Sequence, residues 1–262
     1  MFDFSNYVRG LAVVAIAAFC LWLLSLYKRN VAIVDGAWSL MFMLQAFTYT
    51  LSQPAFGLAS LGVRTSLVLV LVSVWALRLS IYITWRNWGL GEDRRYQAIR
   101  ARNEPNFPLK SLYLVFLLQA VLAWIISLPL QGAVLSKKPP GLFDLAGATL
   151  WLVGMVFEAG GDWQLARFKA DPANNGRVMD RGFWRYTRHP NYFGDFCVWW
   201  GFYLIAVGAG AWWSILGPIL MSVLLMRVSG VTLLERDIGE RRPQYAQYVR
   251  RTNAFFPGWR QG

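Results

Sequence analysis

Apolar residues run through the chain in blocks of about twenty, the number a helix needs to cross a hydrocarbon core. The pattern predicts helices over Leu11–Tyr27, Val31–Leu51, Thr65–Trp85, Leu112–Leu130 and Leu142–Gly161. A longer apolar stretch follows, between Asp195 and Arg227. Gly208-Ala209-Gly210 offers a turn in its middle, so it reads as a hairpin of two spans, Asn191–Val207 and Ala211–Val228. The expectation is an all-α polytopic integral membrane protein with seven transmembrane helices. Before the first block stand Asp3 and Arg9 rather than a basic cluster, so that block reads as a retained anchor.

Composition agrees. Hydrophobic residues make up 56% of the 262 positions and charged ones only 15%, against about 25% charged in a soluble domain. Disorder, a disulfide scaffold and an ordinary soluble enzyme are therefore poor fits. Cys20 and Cys197 sit in apolar surroundings without metal-ligand spacing and read as buried small hydrophobes. One histidine in the chain excludes a multi-histidine metal site.

The net charge of +12 invites a nucleic-acid reading, which the apolar fraction opposes. Topology explains it better. With seven spans and the N-terminus outside, 20 of the 26 Lys and Arg fall on the inner side, and only Arg9, Arg64, Lys137 and Lys138 lie outside. Six spans would place the basic tail outside, against the positive-inside rule. The chain then reads as one membrane domain, 1–262, with a cytoplasmic C-terminus. Its first four helices (1–130) are expected to contribute a substrate cavity, and 142–262 a cofactor-binding region.

Charged residues also stand within or at the ends of the spans: Asp35, Arg78, Glu158, Asp162, Asp195, Arg227 and Glu235. A charge at membrane depth costs about 2.5–3.5 kcal/mol even on a lenient scale, so it normally faces a cavity or a partner. Together they predict a polar cavity opening inward.

The richest segment is Arg181-Gly-Phe-Trp-Arg-Tyr-Thr-Arg-His-Pro-Asn-Tyr-Phe-Gly-Asp195. Pro190 suits a first helical turn, which puts Asn191 and Asp195 on one face at i, i+4. Arginines 181, 185 and 188 beside a helix N-terminus make a phosphate-binding arrangement, and the aromatics offer stacking surfaces for a planar ring.

This cluster, with Glu235-Arg236-Asp237, Arg242-Pro243-Gln244-Tyr245-Ala246-Gln247-Tyr248 and Phe255-Phe256-Pro257 behind it, resembles the C-terminal domain of the steroid 5α-reductase family. Upstream, Val34-Asp35-Gly36-Ala37-Trp38 and Gly91-Glu92-Asp93-Arg94-Arg95-Tyr96 look like its bacterial branch. The resemblance implies a membrane oxidoreductase of the CH–CH class. It would bind NADPH from the cytoplasm and reduce the Δ4 double bond of a 3-oxo-steroid or a related enone lipid. On that resemblance Asp162, Asn191 and Asp195 match polar cofactor contacts, and Trp184, Tyr192 and Tyr248 match aromatic or hydroxyl contacts. Arg167 or Lys169 matches a basic position after the fifth helix, and Glu235 falls where some members carry histidine. Arg181, Arg188, His189 and Tyr245 complete the expected cofactor set. Eukaryotic members pair a glutamine-glutamate dipeptide on the second helix with a tyrosine on the third. Here Val34-Asp35 and Trp75 stand at those places, with Tyr82 one face further along.

Hydride arriving at the β-carbon of an enone drives negative charge onto the carbonyl oxygen, which calls for a donor placed there. Asp35, with Tyr82 as its partner, is the expected acid. The same Arg-His-Pro-Asn-Tyr signature occurs in sterol reductases and in membrane methyltransferases that use S-adenosylmethionine. Such a methyltransferase of a prenyl or lipid acceptor, or a non-enzymatic carrier, are the alternatives. The expected partners are a hydrophobic small molecule and membrane lipid, with no nucleic acid.

Overall fold

The structure is a computed structural model, and it describes residues 2–53, 61–228 and 244–260. All regular structure among these is helical. In chain order the helices are α1 (Phe4–Lys28), α2 (Ile33–Leu51), α3 (Val63–Asn87), α4 (Arg94–Asn103), α5 (Phe107–Ile126), α6 (Leu128–Val134), α7 (Leu142–Ala170), α8 (Pro190–Gly208), α9 (Trp212–Val228) and α10 (Tyr245–Arg251).

Each apolar block expected to be helical is helical. Four of the helices, α1, α3, α5 and α7, are long and apolar enough to cross a membrane, so the chain is built as an integral membrane protein. Helix α2 carries Asp35 and Gln45, and α8 carries Asn191 and Asp195. Neither is among the four, and α9 is shorter.

The chain divides into two compact units. The first comprises Met1–Pro140 with Ala206–Ser214. In it α2 packs between α1 and α3, and α1 also lies along α5. The Asp3 side chain caps α1 by accepting from Asn6 N at 2.9 Å. Inside this bundle a polar group cannot turn to water, so it must find a partner. Tyr49 Oη lies 2.7 Å from Ser127 Oγ, and Ser127 Oγ donates to Gln45 Oε1 at 2.9 Å. Tyr7 and Trp124 stack at 4.3 Å, and each donates to the other's backbone carbonyl. Arg64, fully buried, donates to the Lys138 and Pro139 carbonyls at 2.7 and 3.0 Å. Cys20, expected to be buried, is instead exposed on α1, an apolar atom facing outward from an apolar helix; Cys197 is buried as expected.

The second unit comprises Gly141–Ile205 with Ile215–Gly262. Its frame is an antiparallel pair, α7 and α8, whose backbones touch at glycines. A Cβ on Gly147 would stand 2.5 Å from the Gly201 carbonyl oxygen, and one on Gly154 would stand 2.5 Å from that of Gly194. Gly161 meets the Pro190 ring at 3.0 Å by the same measure. Glycines spaced by seven on α7 thus face Gly201, Gly194 and Pro190 in reverse order on α8. With two turns of helix between them, they keep to one stripe. After α10 the tail lies back on the turn before α8. Arg188 N donates to the Asn253 carbonyl at 2.9 Å, and Thr187 Oγ1 to that of Phe255 at 2.8 Å.

Candidate functional site

The glycine stripe determines what happens at its end. Because Gly161 lets Pro190 approach, the residues just beyond it on each helix meet. Asn191 Nδ2 donates to Asp162 Oδ1 at 3.1 Å, and Asp162 is only 3% exposed. The indole of Trp184, carried on the short 3₁₀ turn Gly182–Arg185, donates to the Gly161 carbonyl at 3.0 Å. Tyr248 of α10 donates to the Trp184 carbonyl at 2.5 Å. Burial, ahead of the neighbouring Tyr245 hydroxyl, raises the Tyr248 phenol well above its ordinary range and keeps it a neutral donor. Asp162, Trp184, Asn191 and Tyr248 are therefore linked through side-chain and backbone hydrogen bonds.

Other expected residues surround this set with different partners. His189 is buried and stacks on Tyr192 at 5.6 Å. Arg188, at the expected phosphate-binding position, turns Nη1 to the Thr252 and Val249 carbonyls at 2.6 and 3.2 Å and so clamps the end of α10. Asp195 sits half-buried one turn beyond Asn191. Tyr245 is buried edge-on to Tyr248. Lys169 is exposed on the last turn of α7, and Arg227, expected to face inward, is exposed near the end of α9. Glu235 lies outside the described residues.

Two of the pockets among the described residues of this unit bear on the expected site. One, of about 550 Å³, is lined by Arg177, Arg181, Arg251 and Arg260 together with Phe168, Val178, Asp180, Gln244, Gln247 and Tyr248. Its acid, Asp180, is held by Arg260 at 2.8 Å, so the lining stays strongly cationic. The other, of about 410 Å³, shares Phe168 and Arg181 and contains Arg167. Arg167 and Arg181 were both expected near a cofactor, yet only Arg181 lines the pocket with the other three arginines. Arg177, Arg251 and Arg260 escaped the sequence reading because their charge was already explained by topology.

Asp35 lies in the first unit. Its Oδ1 accepts from Tyr96 Oη at 2.5 Å and its Oδ2 from Arg95 Nη2 at 2.7 Å. Gln119 Nε2 donates to Tyr96 Oη at 3.2 Å. The hydroxyl on Asp35 is thus that of Tyr96, while Tyr82 lays its ring against the guanidinium groups of Arg78 and Arg86 at 5.4 and 5.8 Å. With an arginine on one oxygen and a phenol on the other, Asp35 acts here as an acceptor. Trp75, at the register of the family's tyrosine, is fully buried against Phe42. Burial and the negative charge of Asp35 both raise the Tyr96 phenol.

Beside this cluster, Glu92 binds Arg100 through two bonds of 2.8 and 2.9 Å and accepts the Val31 N–H at 2.9 Å. Burial opposes its ionisation, but these bonds and the Arg100 charge outweigh it and hold the carboxyl below its usual value. The pair ties α4 to the turn between α1 and α2. Gly91-Glu92-Asp93-Arg94-Arg95-Tyr96 was quoted for its likeness alone; its role as the partner segment of Asp35 needed the fold.

A helical membrane chain whose second unit holds a cationic pocket and a part-buried Asp–Asn pair is the class these observations define. The chain belongs to a family described as "Protein of unknown function (DUF1295)", whose pattern matches residues 21–252. It is similar to an uncharacterized protein of the fission yeast Schizosaccharomyces pombe, 26% identical over 98% of this chain and 81% of the relative. No solved structure matches it.

Proposed function

We propose that the chain is an NADPH-dependent reductase of the Δ4 double bond of 3-oxo-steroids or of a related apolar enone. The reading includes seven membrane crossings in a bacterial inner membrane, the N-terminus outside and the cofactor region toward the cytoplasm. One observation carries it: four arginines converge on the pocket of about 550 Å³ that Tyr248 also lines. That volume lies within the usual range for small-molecule sites. Guanidinium forks match phosphate oxygens in geometry and charge, so the donor set fits a phosphorylated dinucleotide. A cofactor without phosphates, such as S-adenosylmethionine, would leave most of that charge unanswered.

Arg177, Arg181, Arg251 and Arg260 would hold the phosphates, and the Asp162–Asn191 pair offers an acceptor and a donor for neutral polar groups. The bound nicotinamide would supply the hydride. The acid comes from the cluster around Asp35. Tyr96 has one hydroxyl proton, and it points at Asp35. For Tyr96 to donate to a carbonyl oxygen, Asp35 must first take up a proton and donate it back to the phenol oxygen. Only the protonated form of Asp35 frees that phenol proton, so turnover should fall on the alkaline side of the pH profile, where Asp35 has lost its proton. Tyr96 replaces Tyr82 in this proposal.

The test is titration of purified protein with NADPH, NADH and S-adenosylmethionine, followed by NADPH oxidation with 3-oxo-Δ4-steroids and other apolar enones. NADPH binding and enone-dependent oxidation, lost in Asp35→Ala, are expected. S-adenosylmethionine binding without NADPH binding would transfer the protein to the methyltransferases. No nucleotide binding, with Asn191→Ala and Asp195→Ala harmless, would make it a carrier.

A further inference from the structure

The second pocket, of about 410 Å³, lies at the C-terminal end of α7 and has a different character from the first. Phe168 and Met179 are buried and form its apolar floor, while Arg167 and Arg181 stand exposed at its edges. Arg181 lies over the Phe168 ring at 5.7 Å, and Arg167 lies over the Trp163 ring at 5.5 Å. The acid in the lining, Asp171, is turned to local work. Its oxygens accept from Ala173 N at 2.9 Å and from Asn174 Nδ2 at 3.2 Å.

What leads to this pocket matters as much as the pocket. Leu145, Leu152, Val156 and Trp163 are 66, 58, 52 and 60% exposed. Their spacings of 7, 4 and 7 close whole turns of a 3.6-residue helix, so they form one apolar stripe along α7. The stripe ends at Trp163, and Arg167 one turn further on stacks over that indole. An outward apolar stripe on a membrane helix faces acyl chains. Trp at its end is the side chain that settles at headgroup level, and the arginine beyond it meets the headgroup.

We propose that this end of α7 seats one anionic phospholipid. Its phosphate lies between Arg167 and Arg181, and one acyl chain lies along the stripe that ends at Trp163. Charge complementarity selects the occupant, since two guanidinium groups flank the opening and the one carboxylate is engaged elsewhere. The inference shares Arg181 with the nucleotide reading but does not rest on it, because Arg167 and Trp163 line this pocket and not the other, and Arg167 carries the test.

Purified full-length protein should be titrated with phosphatidylglycerol and phosphatidylcholine of matched chain length, with retention read by native mass spectrometry. Phosphatidylglycerol should bind more tightly than phosphatidylcholine, and Arg167→Gln should weaken it about fivefold, the worth of one basic side chain at an anionic membrane surface. Arg167→Lys should keep most of the preference. Equal retention of the two lipids, or an unchanged preference in Arg167→Gln, would overturn the proposal. So would full competition by soluble glycerol phosphate, which would mark a site for free anions, or an equal loss of NADPH affinity in Arg167→Gln, which would assign the pocket to the nucleotide.

Discussion

Substituting Gly154 by alanine tests the α7–α8 frame on which the Asp162–Asn191 contact depends. A Cβ there meets the Gly194 carbonyl oxygen at 2.5 Å, the Val198 amide nitrogen at 2.7 Å and a Val198 methyl at 2.9 Å. The first two are backbone atoms of a helix and cannot rotate away, so the helices must separate. Overpacking of this kind costs about 1–3 kcal/mol, and alanine in mid-helix returns about 1 kcal/mol through propensity. Two backbone atoms under 3 Å place this site at about 2–3 kcal/mol of that cost, so the net expectation is a loss of about 1–2 kcal/mol. Gly194→Ala pushes on the same gap from the other side, since its Cβ would stand 2.5 Å from the Gly154 carbonyl oxygen. One separation relieves both strains, so the double variant should cost clearly less than the sum of the single ones, a coupling expected of residues in contact. Gly91→Ala, with open space around it, is the control and should be near neutral. Reversible denaturant unfolding in detergent measures all four. A Gly154→Ala protein as stable as the parent, or strictly additive losses, would refute the close approach.

Other outcomes follow from single contacts. Glu92 carries a carboxyl held below its unfolded value of 4.5; its stabilisation is complete above that pH and lost as pH falls through the lower folded value. Unfolding measured against pH should therefore show an acid limb that Glu92→Gln flattens. Tyr248→Phe removes the donor to the Trp184 carbonyl and should cost about 1–3 kcal/mol by leaving that oxygen unsatisfied; thermal unfolding checks this, and on the proposed function NADPH affinity should fall with it. A reporter fused after residue 262 should be active in the cytoplasm, and external activity would break the seven-crossing topology.

Helix existence was legible because apolar length is a strong signal, whereas helix ends follow local chemistry that hydropathy does not weigh. The fourth apolar block reads as Leu112–Leu130, yet α5 begins at Phe107, with Pro108 in its first turn, and ends at Ile126 before Ser127 and Pro129. Helix α7 runs on to Ala170 because its last turns remain helical after their residues become polar. The Asp162–Asn191 contact had no forecast, since the two residues were named only as cofactor contacts implied by the resemblance. Its physical cause, glycines at 147, 154 and 161 opposite those at 194 and 201, was present in the sequence as a spacing of seven and went unread. Nothing local linked Asp35 to Arg95 and Tyr96, sixty positions away on a polar helix.

The missed partners alter the chemistry more than the fold. A lone carboxyl within an apolar helix invites the role of proton donor, because desolvation favours its neutral form. Once Arg95 and Tyr96 are placed on its two oxygens, the same carboxyl becomes the acceptor of a fixed pair, and only the phenol remains as a group with a proton to offer. An Asp35→Asn protein would keep the shape of the cluster but cannot cycle a proton between carboxyl and phenol. A Tyr96→Phe protein would keep the Asp35–Arg95 bond and lose the donor. If Tyr96 is the acid, both variants should bind the nucleotide normally and lose turnover. If the Asp35–Arg95 pair only ties α4 to α2, Tyr96→Phe should turn over like the parent, and stability alone should fall in Asp35→Asn.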